Sequence, residues 1–164
     1  MPTKEWERVK AASKKWRETN DCTVKALAIA TKSTYEKAHG ALALRGRNYR
    51  KGVAMEKVFA ALRDWGYTVK TEYKKSTIEY IEMHEKYGWK VEDDMAEKGK
   101  AFRRSRWAKG KTIKSIVPYL PSRGVFLIET SSHVLCVRAG EVHDWTDGRR
   151  HRITNVHRIV KKSD

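Results

Sequence analysis

The sequence has no glutamine, only two cysteines and only three prolines. No apolar run comes near the roughly 20 residues that a membrane-spanning helix needs. Cys22 and Cys136 are too few and too far apart for a disulfide framework or a zinc pattern, so we expect both to be reduced, as in an intracellular protein. The stretch Met1–Trp16 lacks the apolar segment of a secretory signal. We therefore expect a cytoplasmic protein that does not associate with membranes.

Acidic residues are also scarce, since 20 aspartates and glutamates stand against 36 lysines and arginines, for a net charge of +16. A charge of this size favours contact with nucleic acid or another polyanion, and it does not specify a fold. The chain has 164 residues, of which 40% are hydrophobic, which is enough for one core. We predict a single domain over residues 1–164.

The hydrophobic pattern changes along the chain from helical spacing to alternation. The predicted helices cover 4–17, 20–31, 33–44, 53–65 and 113–120, and the predicted strands cover 67–73, 125–129, 132–138, 141–145 and 152–160. The first helix makes 1–18 a basic N-terminal segment, and the strand at 67–73 alternates like an edge strand. Helices followed by an antiparallel sheet indicate an α+β fold.

Two basic stretches interrupt this pattern. The first, 45–52, fits neither the Walker nor the Rossmann spacing and is predicted to be a solvated loop, with a loop that binds phosphate as the alternative. The second lies in 74–111, a charged insertion whose first half is acidic. Its cations are Lys98, Lys100, Arg103, Arg104, Arg106, Lys109 and Lys111, with Phe102 and Trp107 between them. Cations with aromatic rings are typical of a nucleic-acid surface. Alternatively, the acidic half folds back onto the basic half and the rings anchor it to the core.

The stretch Thr19–Ala28 places a cysteine at the start of an apolar helix. Asn20 and Asp21 are residue types that cap helices, so Cys22 is expected in the first turn. The free N–H groups and the dipole at this end favour an anion, which makes a thiolate easier to form. Cys22 is therefore a candidate nucleophile. The alternative is a structural cysteine that acts as a small buried hydrophobic residue.

A base for this cysteine is available at His133, on a late strand that forms one arm of a predicted hairpin. We take Ala139–Gly140 as the two-residue turn, which fixes the register of the two arms. The predicted pairs are Arg138–Glu141, Leu135–Asp144 and His133–Thr146. Directly opposed residues share a face of the sheet, as do alternate residues of one strand.

By this rule, His133 and Asp144 point to the same face, while Cys136 and Asp147 point to the other. The pattern favours Asp144 as the acid that orients His133, and Cys22 over Cys136 as the nucleophile. Asp147 remains the reserve candidate, because a one-residue bulge would exchange the two faces. In this scheme Cys22 attacks a carbonyl, His133 transfers the proton, and Asp144 fixes the histidine tautomer.

The oxyanion of such a reaction needs hydrogen-bond donors. The backbone N–H of Cys22 is one candidate. Because the chain has no glutamine, the side-chain amide nearest in sequence is that of Asn20, which either donates to the oxyanion or caps the helix. A pair formed by Cys136 and His143 offers only two metal ligands, too few for a structural zinc site. We expect neither a metal nor a cofactor.

The segment Asn20–Cys22 at a helix start, followed by a late strand with His133, a glycine turn and Asp144–Trp145, resembles the papain-like cysteine peptidase superfamily. More narrowly, it resembles small phage-encoded peptidase-like proteins, which would act in the host cytoplasm. The resemblance covers about 19–70 and 112–160. It implies a helical part that carries the cysteine and an antiparallel sheet that carries the histidine and an aspartate.

These observations predict a thiol hydrolase that cleaves a peptide or isopeptide-type amide. The alternative is a basic nucleic-acid-binding protein, or an inhibitor of a host enzyme, on the same scaffold. The net charge supports the alternative, and the arrangement of Cys22, His133 and Asp144 supports the hydrolase.

Overall fold

A computed structural model describes residues 2–162. The helices are α1 (Lys4–Lys15), α2 (Cys22–Thr31), α3 (Tyr35–Leu44), α4 (Met55–Asp64), α5 (Lys75–Lys86), α6 (Asp93–Arg104), α7 (Arg106–Gly110) and α8 (Ile113–Ile116), which continues as a 3-10 turn (Val117–Tyr119). The strands are β1 (Tyr67–Lys74), β2 (Val125–Thr130), β3 (His133–Arg138), β4 (Glu141–His143) and β5 (Asn155–Lys161). N-terminal helices thus precede an antiparallel sheet, which confirms the α+β class. None of the helices in the described part of the chain could cross a membrane.

The five strands lie in the order β1-β5-β2-β3-β4, and every neighbouring pair is antiparallel. β1 lies at one edge, as predicted from its alternation. β4, at the other edge, continues from the tight turn that follows β3. Both turn residues have left-handed backbones, with φ of 50° at Ala139 and 79° at Gly140, as a two-residue hairpin turn that matches the strand twist requires.

Each face of the sheet carries its own core, because alternate residues of a strand point to opposite sides. Val134 and Cys136 pack against the N-terminal helices α1–α4. Leu135 and Val137 pack on the other side, with α7 and α8. α2 is buried on nearly all sides between its neighbouring helices and β3. Each large aliphatic side chain that α2 buries stabilises the fold by about 1.5–3 kcal/mol. This packing holds the helix in place, and with it Cys22, its first residue.

Residues 74–111 fold as α5, α6 and α7. α5 packs against α6, where Arg103 Nη2 lies 3.9 Å from Glu82 Oε1. Phe102 and Trp107 are only 8% and 1% exposed, because both belong to the second core. Rings buried in this way cannot stack on nucleic-acid bases, so the packing alternative is correct for both of them. The cations of this segment remain on the surface.

The sequence predicts a solvated loop at 45–52, but part of this loop is buried. Arg47 lies in the interior, where its guanidinium donates to both carboxylate oxygens of Glu18, at 2.9 and 3.1 Å. Arg50 also donates its backbone N–H to Glu18. The loop is therefore fastened to the segment just before α2, and its end at Gly52 forms a wall of the site described below.

Candidate active site

Cys22 is the first residue of α2 and is half-buried. Asp21 precedes it at the N-cap position, but its side chain makes no capping bond, so the predicted capping role is wrong. The Asp21 carboxylate instead accepts from the Ser13 hydroxyl at 2.6 Å and from the Tyr35 hydroxyl at 2.7 Å. Because the carboxylate points into the core, the first-turn N–H groups around Cys22 stay available to an anion.

Asn20 does not cap the helix either. Its backbone is left-handed, with φ of 51°, and its side-chain amide donates to the carbonyl of Arg50 at 3.0 Å. A primary amide has two N–H groups, and this bond uses one of them. Asn20 lines the same cavity as Cys22. The other candidate role, a donor to an oxyanion beside Cys22, therefore stays open to it.

His133 is the first residue of β3, and its Nε2 lies 2.7 Å from Asp144 Oδ2. The predicted hairpin register is confirmed for the three pairs Arg138–Glu141, Val137–Val142 and Cys136–His143. The ladder ends there, so the predicted pairs of Asp144 with Leu135 and of His133 with Thr146 do not form. Asp144 is positioned instead by the turn after β4, where Thr146 donates its backbone N–H and its hydroxyl to Oδ2.

Asp147, the reserve candidate, is exposed on the surface. Asp144 is only 7% exposed. A buried carboxylate that accepts from an imidazole fixes its tautomer and stabilises its charged form. Since Nε2 faces Asp144, Nδ1 is the ring nitrogen available to the thiol. Of the two aspartates, only Asp144 can therefore orient His133.

The two cysteines differ in their acidity. Burial raises the pKa of the Cys22 thiol, but hydrogen bonding with His133 and with the Val134 backbone outweighs it, so the net pKa lies below the ordinary value. Burial of Cys136, which is fully enclosed, raises its pKa to about 12. Cys22 is therefore the more acidic of the two cysteines.

The pKa of His133 shifts in the opposite direction to that of Cys22. Burial lowers the pKa of His133, but its hydrogen bonds with Asp144 and with Cys22 raise it to about 9. A thiol with a lowered pKa beside an imidazole with a raised pKa favours a thiolate–imidazolium pair. Such a pair is a nucleophile with its proton donor already in place.

Two cavities flank Cys22 and His133. One, of about 300 Å³, is lined by Trp6, Asn20, Asp21, Cys22, Lys25, Gly52, Ser132, His133, Asp144 and Trp145. The other, of about 220 Å³, shares Cys22, Gly52, Ser132 and His133 and adds Thr23, Val53, Met55, Glu129, Thr130 and Val134. An extended substrate could occupy both cavities with its reactive carbonyl at the sulfur between them.

Sequence reasoning assigned no role to two of the residues that shape this cleft. Trp145 lies with its ring centroid 5.3 Å from that of His133, so it covers one side of the imidazole. Lys25 lines the larger cavity one helical turn after Cys22. The i,i+3 spacing from Cys22 was the available signal for Lys25.

Cys136 and His143 are direct partners in β3 and β4. Residues 2–162 hold no cluster of three or more histidine, cysteine, aspartate or glutamate side chains that could bind a metal ion.

Fold and site together define an α+β protein with a cysteine, a histidine and an aspartate around one cleft. No model of a known protein family, no curated protein and no solved structure matches this chain.

Proposed function

We propose that this protein is a papain-like thiol hydrolase that cleaves a peptide or isopeptide-type amide. The observation that carries the proposal is the meeting of three elements at one cleft: the start of α2 with Cys22, the start of β3 with His133, and the turn after β4 with Asp144. A nucleophile, its base and the group that orients the base lie in contact in the order that covalent catalysis needs.

In the first half of the reaction, the Cys22 thiolate attacks the amide carbonyl carbon and forms a C–S bond. The electron pair of the carbonyl moves to its oxygen, which accepts from the Cys22 backbone N–H and from the second amide N–H of Asn20. As the intermediate collapses, the C–N bond breaks and the His133 imidazolium gives its proton to the leaving nitrogen. The products of this half are a free amine and a thioester on Cys22.

In the second half, neutral His133 takes a proton from water, and the hydroxide attacks the thioester carbon. The C–S bond breaks, the carboxylic acid leaves, and the thiolate–imidazolium pair is restored. Asp144 accepts from the ring throughout and stabilises the imidazolium, and Trp145 limits the access of water to the ring.

Cleavage of a complex mixture of peptides tests the proposal without knowledge of the substrate. We expect the native protein to produce new peptide termini, detected by mass spectrometry, and Cys22→Ala to produce none. Cys136→Ala is the matched control, because Cys136 lies in the core away from the cleft, and it should cleave as the native protein does. Equal cleavage by the native protein and by Cys22→Ala would exclude Cys22 as the nucleophile.

A second candidate function, nucleic-acid binding, is favoured by the exposure of all seven cations in residues 98–111, here called the basic segment. These are Lys98, Lys100, Arg103, Arg104, Arg106, Lys109 and Lys111. Because Phe102 and Trp107 are buried, this surface offers cations for phosphates but not these rings for stacking on bases. Binding through phosphates is independent of sequence and sensitive to salt.

For this second function, we expect the triple charge reversal of Lys98, Lys109 and Lys111 to glutamate to reduce the salt dependence of DNA binding. The slope of log K against log salt should fall by about one unit for each lost phosphate contact. Reversal of Lys10, Lys14 and Lys15, which are exposed on α1, changes the net charge equally and is the control. Fluorescence anisotropy at several salt concentrations measures both slopes, and equal slopes would exclude the basic segment as the binding surface.

A further inference from the structure

We propose that Lys25 recognises a carboxylate of the substrate, one helical turn from the carbonyl that Cys22 attacks. The inference rests on the proposed hydrolase function and names its substrate class, an amide that carries a carboxylate close to the scissile bond.

The position of Lys25 within the cleft is the first support. Lys25 follows Cys22 at i+3 on α2, and side chains at this spacing lie on the same face with about 5–6 Å between their Cβ atoms. Both residues line the larger cavity. A group bound by Lys25 would therefore belong to the same substrate molecule as the carbonyl at Cys22.

The Lys25 side chain is held in place before any ligand arrives. Its Nζ lies 3.2 Å from Asp21 Oδ1 and 5.1 Å from the ring centroid of Trp6, and the side chain is 19% exposed. An ammonium group has three donors, and the bond to Asp21 uses one of them. A lysine whose stem is already ordered loses less conformational entropy when it binds a ligand.

The hydrogen-bond acceptors and donors of the cavity differ in how many of their bonds are already made. Its two carboxylates, Asp21 and Asp144, are 3% and 7% exposed, and each accepts three hydrogen bonds from protein groups, on both oxygens of Asp21 and on Oδ2 of Asp144. Lys25 and Asn20 keep N–H groups that no acceptor among residues 2–162 uses. A cavity in which an ammonium group and an amide still have N–H groups available fits an acceptor-rich ligand, such as a carboxylate.

The charge of the whole chain acts in the same direction. A net charge of +16 attracts anions from a distance. The ion pair of Asp21 with Lys25 has no net charge, so it does not oppose this attraction. A cationic substrate would have to approach against the field, and the carboxylate beside Lys25, that of Asp21, is already bonded on both oxygens. The observations therefore favour an anionic substrate over a cationic or neutral one.

Two small alkylating agents that differ only in charge test the inference without a known substrate. Iodoacetate carries a carboxylate and iodoacetamide a neutral amide, and both transfer their CH2 carbon to the thiolate as iodide leaves. We expect Lys25→Met to slow alkylation of Cys22 by iodoacetate about five- to tenfold, as expected for the loss of one charge contact in a half-exposed cleft, and to change the iodoacetamide rate by less than about twofold.

Three further variants complete the test. Lys25→Arg keeps the charge and should keep the iodoacetate rate. Lys25→Gln can still donate to Asp21 and replaces Lys25→Met if loss of that bond prevents folding. Lys32→Met removes one charge at the opposite end of α2, about 15 Å from Cys22 and beyond the screening length, and should leave both rates unchanged.

The outcomes separate the inference from the proposed function. If iodoacetamide reacts fast through His133 but Lys25→Met slows neither reagent selectively, the carboxylate site is wrong and the hydrolase proposal stands. If iodoacetamide reacts slowly and His133→Ala has no effect, the hydrolase proposal fails, and the inference fails with it.

Binding to Cys22→Ala then distinguishes a side-chain carboxylate from a C-terminal one. N-acetylglutamine and the α-amide of N-acetylglutamic acid are isomers that carry the carboxylate at the main-chain end and on the side chain, respectively. Tighter binding of either isomer than of neutral N-acetylglutaminamide, measured by NMR titration and lost in Cys22→Ala with Lys25→Met, identifies the source. Equal binding of all three compounds would overturn the inference.

Discussion

Replacement of Asp144 by alanine is expected to slow the alkylation of Cys22 near pH 6 by about 10- to 100-fold. Of the interactions that raise the pKa of His133 to about 9 against its burial, the hydrogen bond that its Nε2–H donates to Asp144 is the strongest. Without this bond, burial dominates and the imidazole loses its proton at lower pH. The thiolate fraction falls with it, by about tenfold for each unit of pKa. The rate constant with iodoacetamide, measured across pH, gives the shift directly.

Two matched variants decide whether the charge of Asp144 or its geometry matters. Asp144→Asn keeps an acceptor for His133 Nε2 without the charge, so we expect a rate between those of the native protein and Asp144→Ala. Asp147→Asn changes an exposed neighbour and should have no effect. A native rate in Asp144→Ala, or an equal loss in Asp147→Asn, would contradict the assignment of Asp144.

Replacement of Glu18 by glutamine is expected to destabilise the protein by about 3 kcal/mol, because it leaves the Arg47 charge buried without a partner. The side chains of Glu18 and Arg47 are 0% and 1% exposed, so solvent does not screen the pair. His39 Nε2 also lies 2.5 Å from Glu18 Oε2. This cluster joins the segment before Cys22 to the loop that ends at Gly52, so its loss should also disturb the wall of the cleft.

The contribution of Glu18 depends on pH in a defined direction. Burial raises the pKa of Glu18, but hydrogen bonds from Arg47 and His39 outweigh it and lower the pKa from the usual 4.5 to about 2. Because the folded pKa lies below the unfolded one, the stabilisation is complete above about pH 4.5 and is lost as the pH falls towards about 2. The shift corresponds to about 3 kcal/mol.

Urea unfolding near neutral pH and near pH 3 measures both effects. We expect Glu18→Gln to unfold at lower urea than the native protein near neutral pH, and to show a smaller loss of stability on acidification. Glu5→Gln is the control, since Glu5 and Arg8 form a pair that is 36% exposed on each side and contributes below about 1 kcal/mol. Equal effects of the two substitutions would show that burial does not set the strength of the Glu18 pair.

The features that sequence predicted well depend on local rules. The turn at Ala139–Gly140 fixes the register of the hairpin by its own geometry, and the edge position of β1 follows from its alternation. α8 begins at Ile113, as predicted, and Thr112 caps it, because its hydroxyl accepts from the backbone N–H of Ser115 three residues later. The sequence also indicated the three side chains that meet at the cleft.

The features that sequence missed depend on contacts between distant residues. Asp21 has the residue type of a helix cap, but Ser13 and Tyr35 bind its carboxylate from other helices. Arg47 lies in a basic stretch that suggests solvation, but Glu18 binds it across 29 residues. In the same way, Asp144 contacts His133 through the turn after β4, since the strand ladder on which the prediction relied ends one residue earlier. Local patterns contain no information on such partners.

The pH dependence of Cys22 alkylation by iodoacetamide, in the native protein and in His133→Ala, tests the central claim most directly. If Cys22 and His133 form a thiolate–imidazolium pair, the native thiol reacts with a midpoint well below the free-cysteine pKa of about 8.5, and the midpoint rises in His133→Ala. Mass spectrometry of the labelled peptide should show the label on Cys22, with Cys136 unlabelled. An ordinary, slow thiol whose pH profile is the same in both proteins would contradict the account and leave Cys22 as a structural residue.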